Sequence, residues 1–97
     1  MRDRFNISRG QYKFLKKLLE YNEDYIPIKE VFALDLLKCT PPFILSLFQK
    51  HLILAENSKV RPNMDLKGLK RLINNGRRVR INPMIVSFLL LLEEWFD

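Results

Sequence analysis

Apolar residues recur along this chain at helical spacing, and the recurrence is broken by capping and turn residues that mark where each element starts and stops. Ser8-Arg9-Gly10-Gln11 fits a capping box, in which the serine oxygen faces the N–H three residues on and the glutamine reaches back. Behind it Tyr12, Leu15, Leu18 and Leu19 recur on one side, with Lys13, Lys16 and Lys17 on the other. That spacing predicts a first helix from about Arg9 to Tyr21, ended by Asn22-Glu23-Asp24. Tyr25-Ile26-Pro27-Ile28 reads as a short extended link, because a proline disfavours helix in the residue before it. The helical period resumes from Lys29 to Lys38 through Val31, Phe32, Leu34, Leu36 and Leu37.

Thr40-Pro41-Pro42 predicts a third helix: a threonine cap, then prolines where the N–H groups would have no helical partner. It carries Phe43, Ile44, Leu47 and Phe48 inward and should end near His51. Leu52 to Glu56 reads as a strand, Asn57-Ser58 as a turn, and Lys59-Val60-Arg61 as the returning strand before Pro62. Asp65 caps a fourth helix through Leu66, Leu69, Leu72 and Ile73, which Asn74-Asn75-Gly76 terminates. Arg77 to Ile81 is either a short strand or an extended connector, and Asn82-Pro83 opens a last helix reaching Phe96.

At 97 residues the chain is expected to form one domain, 1–97, and 47% hydrophobic residues suffice for a core without disulfide or metal. Cys39, the single cysteine, has no internal partner for a disulfide. The N-terminal ten residues lack the apolar core of a signal peptide. The longest apolar run, Pro83 to Leu92, is far short of the ~20 residues that span a bilayer. These features predict a soluble, cytoplasmic protein.

Charge changes the picture more than composition does. The net charge is +6, and it is unevenly placed: residues 1–20 hold six basic and two acidic side chains, residues 21–60 four and five. From Leu66 to Leu92 there is no acid, while Lys67, Lys70, Arg71, Arg77, Arg78 and Arg80 fall within that stretch. Such a cluster attracts polyanions, since each cation meeting a phosphate releases condensed counterions. A solvated face is the competing reading.

The order of helix, extended link, helix, tight turn, helix and two-stranded wing over Ser8 to Arg61 resembles the winged helix-turn-helix family. Lys29-Glu30-Val31-Phe32-Ala33 stands where members carry a Glu-Leu-Ala-type helix. Leu47-Phe48-Gln49-Lys50-His51-Leu52-Ile53 resembles their Leu-x-x-Lys-Gly-Leu-Ile ending, with His51 in place of the glycine. The resemblance implies a mostly α fold, a winged helix-turn-helix of three helices plus a short β-hairpin wing, with two additional C-terminal helices here. It makes the third helix the recognition helix, with Gln49 suited to adenine, Ser46 to a base or phosphate and Lys50 to the backbone. Lys59 and Arg61 in the wing, with Lys67, Lys70, Arg71, Arg77, Arg78 and Arg80, would hold phosphates. Pro41, Pro42 and Leu45 occupy the N-terminal turn of that helix, where base contacts are usually made. They carry no hydrogen-bond code, which weakens base reading there and suits a protein partner instead.

The last helix is apolar on nearly every side, which a surface helix of a small monomer should not be. We therefore expect residues 83–97 to dimerise through Ile85, Phe88, Leu89, Leu92, Trp95 and Phe96; a central helix covered by the others is the alternative. Catalysis is not expected. Cys39 and His51 bracket opposite ends of one helix, roughly 15 Å apart at ~1.5 Å per residue, and cannot form a nucleophilic pair. One Cys and one His do not make a zinc site, and no cofactor motif is present. The expectation is a double-stranded-DNA-binding, dimeric transcriptional regulator. A winged-helix interaction module that does not read DNA, or an RNA binder, are the alternatives.

Overall fold

The computed structural model describes residues 7–20, 25–34, 39–56 and 64–96, the last without the side chain of Phe96. Helix α1 (Arg9–Leu19) is followed by the two-residue strand β1 (Ile26–Pro27), α2 (Ile28–Ala33) and α3 (Pro41–Gln49). Strand β2 (Ile53–Ala55), α4 (Leu66–Asn74), β3 (Arg78–Ile81), a 3-10 turn (Pro83–Ile85) and α5 (Val86–Phe96) complete the order. The fold is mostly helical, with one small antiparallel sheet.

Local chemistry sets most of these boundaries. Ser8 Oγ accepts from Gln11 N–H while Gln11 Oε1 accepts from Ser8 N–H, closing the capping box of α1. Thr40 Oγ1 and Asp65 Oδ1 cap α3 and α4 by accepting from the N–H three residues on, Phe43 and Gly68, without a reciprocal side-chain bond. Helix α2 begins directly at the end of β1 and has no side-chain cap. Its first N–H, on Ile28, donates instead to the carbonyl of Arg77. The Lys29 to Lys38 expectation is met as far as Ala33, and residues 35–38 lie outside the described residues.

Helices α3 and α4 both end in a Schellman motif. His51 N–H donates to Phe48 O (3.0 Å) and Leu52 N–H to Leu47 O (2.9 Å); Gly76 N–H donates to Ile73 O and Arg77 N–H to Leu72 O. The motif needs a left-handed residue just past the cap, and His51 (φ 59°) and Gly76 (φ 62°) provide it. Asn82 then ties the last helix to the end of α3: its Nδ2 donates to His51 O (2.8 Å) and its Oδ1 accepts from Met84 N–H.

Among the described residues the sheet pairs β2 with a strand farther along the chain than the expected wing strand. Its strand order is β1-β3-β2, with Ile26 opposite Val79, and Ile53, Leu54 and Ala55 opposite Ile81, Arg80 and Val79. The described partner of β2 is Arg78–Ile81, which follows α4 in the chain. The expected return strand, Lys59 to Arg61, lies outside the described residues. Residues directly opposite share a face. Ile26, Ala55, Ile53, Val79 and Ile81 are buried on the inner one, while Pro27, Leu54, Arg78 and Arg80 face out.

On the inner face the sheet meets one core. Tyr12 and Leu15 from α1, Ile28 and Val31 from α2, Ile44 and Leu47 from α3, and Leu69 from α4 are all essentially fully buried. At ~1.5–3 kcal/mol per buried large apolar side chain, these anchors hold the helices in place. Helix α1 packs against α5 and β3, and α4 packs against α3 and α2.

The last helix is neither wholly interface nor wholly core. Ile85, Leu89 and Leu92 are 0–1% exposed within the single chain, so their assignment to a dimer interface is corrected: they fill this chain's own core. Phe88 is half-buried. Trp95 is 64% exposed and keeps its place as a candidate contact, joined by Met84, Leu90 and Leu91. The side chain of Phe96 lies outside the described ones. No helix among the described residues is long and apolar enough to cross a membrane.

Candidate nucleic-acid interface

Helix α4 divides its residues sharply. Leu69 is buried, Gly68, Leu72 and Ile73 are half-buried, and Leu66, Lys67, Lys70, Arg71 and Asn74 are exposed. With 3.6 residues per turn the three cations and Asn74 fall on one face. Asp65, the nearest acid in sequence, is occupied at the helix start, where its Oδ1 accepts from Gly68 N–H at 2.8 Å. Gly76 turns the chain and leaves Arg77 exposed next to this face in sequence. Lys67, Lys70, Arg71 and Arg77 have no acid partner among the described residues.

The other two cations of the run are committed to the fold. Strand alternation puts Arg78 and Arg80 on the outer face of β3. Arg78 Nη2 meets the buried Glu56 Oε2 at 2.6 Å across the β2–β3 pair, an oxygen with no other polar partner among the described residues. Hydrogen bonding and charge from Glu56 raise the Arg78 pKa above its ordinary value. Arg80 lies over the Tyr25 ring at 5.6 Å, and its Nε donates to Ile81 O. The acid-free run of six therefore presents four cations without an acid partner among the described residues.

Helix α3 behaves differently from a reading helix. Gln11, a buried polar residue at 4% exposure, donates from Nε2 to Ser46 Oγ (3.1 Å). Its Oε1 accepts from Lys50 Nζ (2.9 Å) as well as from Ser8 N–H. Ser46 and Lys50, expected at a nucleic acid, are thereby fastened to α1, and an edge-to-face contact of Phe14 with Phe43 (5.6 Å) closes the same side. Next to them on α3, Gln49 Nε2 donates to Met64 O (2.9 Å), just before α4. Pro41, Pro42 and Gln49 are what α3 leaves exposed.

On α1, Lys13 and Lys17 are exposed one turn apart, while Lys16 pairs with Glu93 of α5 (3.1 Å) and sits over the Tyr12 ring. Tyr12 and Phe14 are core residues. Lys59 and Arg61 lie outside the described residues. The structure thus brings Lys67, Lys70 and Arg71 onto one face, leaves Arg77 exposed just past the Gly76 turn, and draws Ser46, Lys50, Arg78 and Arg80 into internal contacts.

Two features escape sequence reasoning. Gln11 is legible as a cap but not as the hub for Ser46 and Lys50, because its partners lie 35 and 39 residues away. Asn74 reads as part of a helix stop, yet its spacing of seven from Lys67 is the signal that places it on the basic face. The chain matches no protein-family model, no curated protein and no solved structure.

Proposed function

We propose that this chain is a winged-helix DNA-binding protein that holds duplex DNA by its phosphates through the exposed basic face of α4 and Arg77, and acts as a small dimeric transcriptional regulator. The observation that carries the reading is the set Lys67, Lys70, Arg71 and Arg77, exposed and unopposed by acid among the described residues. The winged-helix part rests on the layout of helix, extended link, helix, helix and strand, with β2 and β3 as the antiparallel pair of a wing and α4 inserted between them. The dimer is attributed to Leu91 and Trp95, four apart on the exposed side of α5, with the exposed Met84 in the 3-10 turn before it.

Three to four phosphate contacts predict a log–log salt slope between about −2.7 and −3.6, and so a loss of about 40- to 150-fold in affinity between about 50 and 200 mM salt. Fluorescence anisotropy of a labelled duplex across that range measures it. The triple substitution Lys70→Glu, Arg71→Glu, Arg77→Glu should abolish binding. Absence of duplex binding at low salt, or a slope that the triple variant leaves unchanged, refutes the proposal.

A second reading is an interaction module that does not bind DNA. It is favoured by the exposed Pro41 and Pro42 on α3 and the apolar Met84, Leu90, Leu91 and Trp95 on the last helix. Its signature would be binding of another protein chain through these side chains, with no duplex affinity.

A further inference from the structure

We infer that α4, rather than α3, is the helix that enters the major groove, with Lys67 and Asn74 directed at base edges and Lys70 and Arg71 at the two flanking phosphate strands. The inference rests on the DNA-binding reading above and adds a reading element and its contacts.

The geometry comes from which residues of α4 are covered. Gly68, Leu69, Leu72 and Ile73 face the domain, and their mean direction is the inner side of the helix. At about 100° per residue, Lys67 and Asn74 fall within about 10° of the opposite direction. Lys70 lies about 50° to one side of that line and Arg71 about 50° to the other. A helix seated in a groove needs this order: the outermost residues meet the floor, and cations on both shoulders meet the walls. The major groove, about 12 Å wide, admits one α-helix of about 10–12 Å diameter.

The residue types match the positions. Asn pairs in bidentate fashion with the N6 and N7 edge of adenine, and Lys donates to the O6 and N7 edge of guanine. Lysine and arginine at the shoulders supply counterion release without sequence information. Lys67 and Asn74 are seven residues apart, about 10.5 Å along the axis at ~1.5 Å per residue, which matches about three base pairs at ~3.4 Å. None of the four side chains has a hydrogen-bond or ion-pair partner among the described residues that would have to be given up. On α3, by contrast, Ser46 and Lys50 are held by the buried Gln11.

The test is selection from a randomised duplex pool followed by binding of single duplexes, using the full chain and its variants. The wild type should enrich two purine positions, a guanine and an adenine, about three base pairs apart. Asn74→Ala should lose about 5- to 150-fold of discrimination at the adenine and keep the guanine preference. Lys67→Ala should do the reverse, so each variant controls for the folding of the other. Lys70→Ala and Arg71→Ala should weaken every duplex alike and reduce the salt slope by about 1 each. Gln49→Ala should leave the preferences unchanged, and A-form RNA duplex should compete poorly, because its deep, narrow major groove does not admit a helix.

A preference that survives both Asn74→Ala and Lys67→Ala, or that Gln49→Ala removes, overturns the inference in favour of α3. Binding with the expected salt slope but without any sequence preference also overturns it, while leaving phosphate contact standing. No duplex binding at all overturns both.

Discussion

His51 occupies a backbone conformation that side-chain-bearing residues avoid, and the structure shows what replacing it should do. Its φ of 59° is nearly that of Gly76 (62°), and both stand at the same place in a Schellman motif. A left-handed backbone costs a residue with a Cβ roughly 1–2 kcal/mol. Glycine removes that cost but adds about 0.5–1 kcal/mol of unfolded-state entropy. His51→Gly should therefore stabilise the fold by about 0.5–1 kcal/mol, and the Asn82 bond to the His51 carbonyl is kept because it uses only backbone oxygen. For a domain of this size that corresponds to a rise of about 2–8 °C in Tm.

Urea unfolding followed by far-UV circular dichroism measures the change as a higher midpoint at constant slope. His51→Ala should give no such gain, since alanine keeps the Cβ. Gly76→Ala should lose about 1 kcal/mol; a Cβ there meets nothing within 4 Å, so the effect is conformational alone. A neutral or destabilising His51→Gly, with Gly76→Ala behaving as expected, would refute the reasoning and show that packing of the half-buried imidazole outweighs the backbone cost.

Leu89→Ala should cost about 2–5 kcal/mol because the side chain is buried in the chain's own core. Leu91→Ser with Trp95→Ser should leave unfolding within about 0.5 kcal/mol while abolishing any dimer seen by sedimentation; a lasting dimer would locate the contact elsewhere. Glu56→Gln releases Arg78 from its ion pair and should steepen the salt slope of duplex binding by about 0.9, readable by anisotropy titration; an unchanged slope would mean Arg78 lies away from the duplex. Gln11→Ala removes bonds to Ser8, Ser46 and Lys50 and should cost about 1.5–3 kcal/mol in chemical denaturation, whereas a loss below ~0.5 kcal/mol would show that water replaces the amide.

What can be read from the sequence is what neighbours in the chain decide. Ser8, Thr40, Asp65 and Asn82 each satisfy N–H groups two or three residues away, so a few consecutive letters are enough to place their caps. Strand pairing is different. The turn signal at Asn57-Ser58 directs the return strand to Lys59–Arg61, but the described partner of β2 is β3, beyond a whole helix. Strands of three and four residues carry too little pattern to choose a partner, and the choice falls to the inner-face packing of Val79 and Ile81. On the last helix apolar residues occur on every side, so hydrophobicity alone does not say which faces in. The polar residues do: Ser87 and Glu94, seven apart and both exposed, mark the solvent side, and Leu89 and Leu92 lie opposite.

The candidate interface is half legible for a related reason. The run of cations from Lys67 to Arg80 is plain as a count, but helix period and strand alternation divide it, and the engagement of its strand part by Glu56 and Tyr25 depends on tertiary contacts.

The same division favours α4 over α3 as the proposed reading helix on energetic grounds. For Ser46 or Lys50 to reach a base, the bond to Gln11 must break. Losing Ser46 takes from the buried Gln11 Nε2 its described acceptor, at about 1–3 kcal/mol, as much as one good bidentate base contact supplies. Losing Lys50 leaves Oε1 still accepting from Ser8 N–H. Gln49 escapes that penalty, because its bond to Met64 O is at the surface and exchanges with water, so α3 keeps at most one economical reader. Lys67 and Asn74 have no described bond to surrender, and the cations on either side of them bring the phosphate attraction with them. Base reading on α3 starts from a deficit that α4 does not have, which is why specificity should move with substitutions on α4 and stability with substitutions on the Gln11 side of α3.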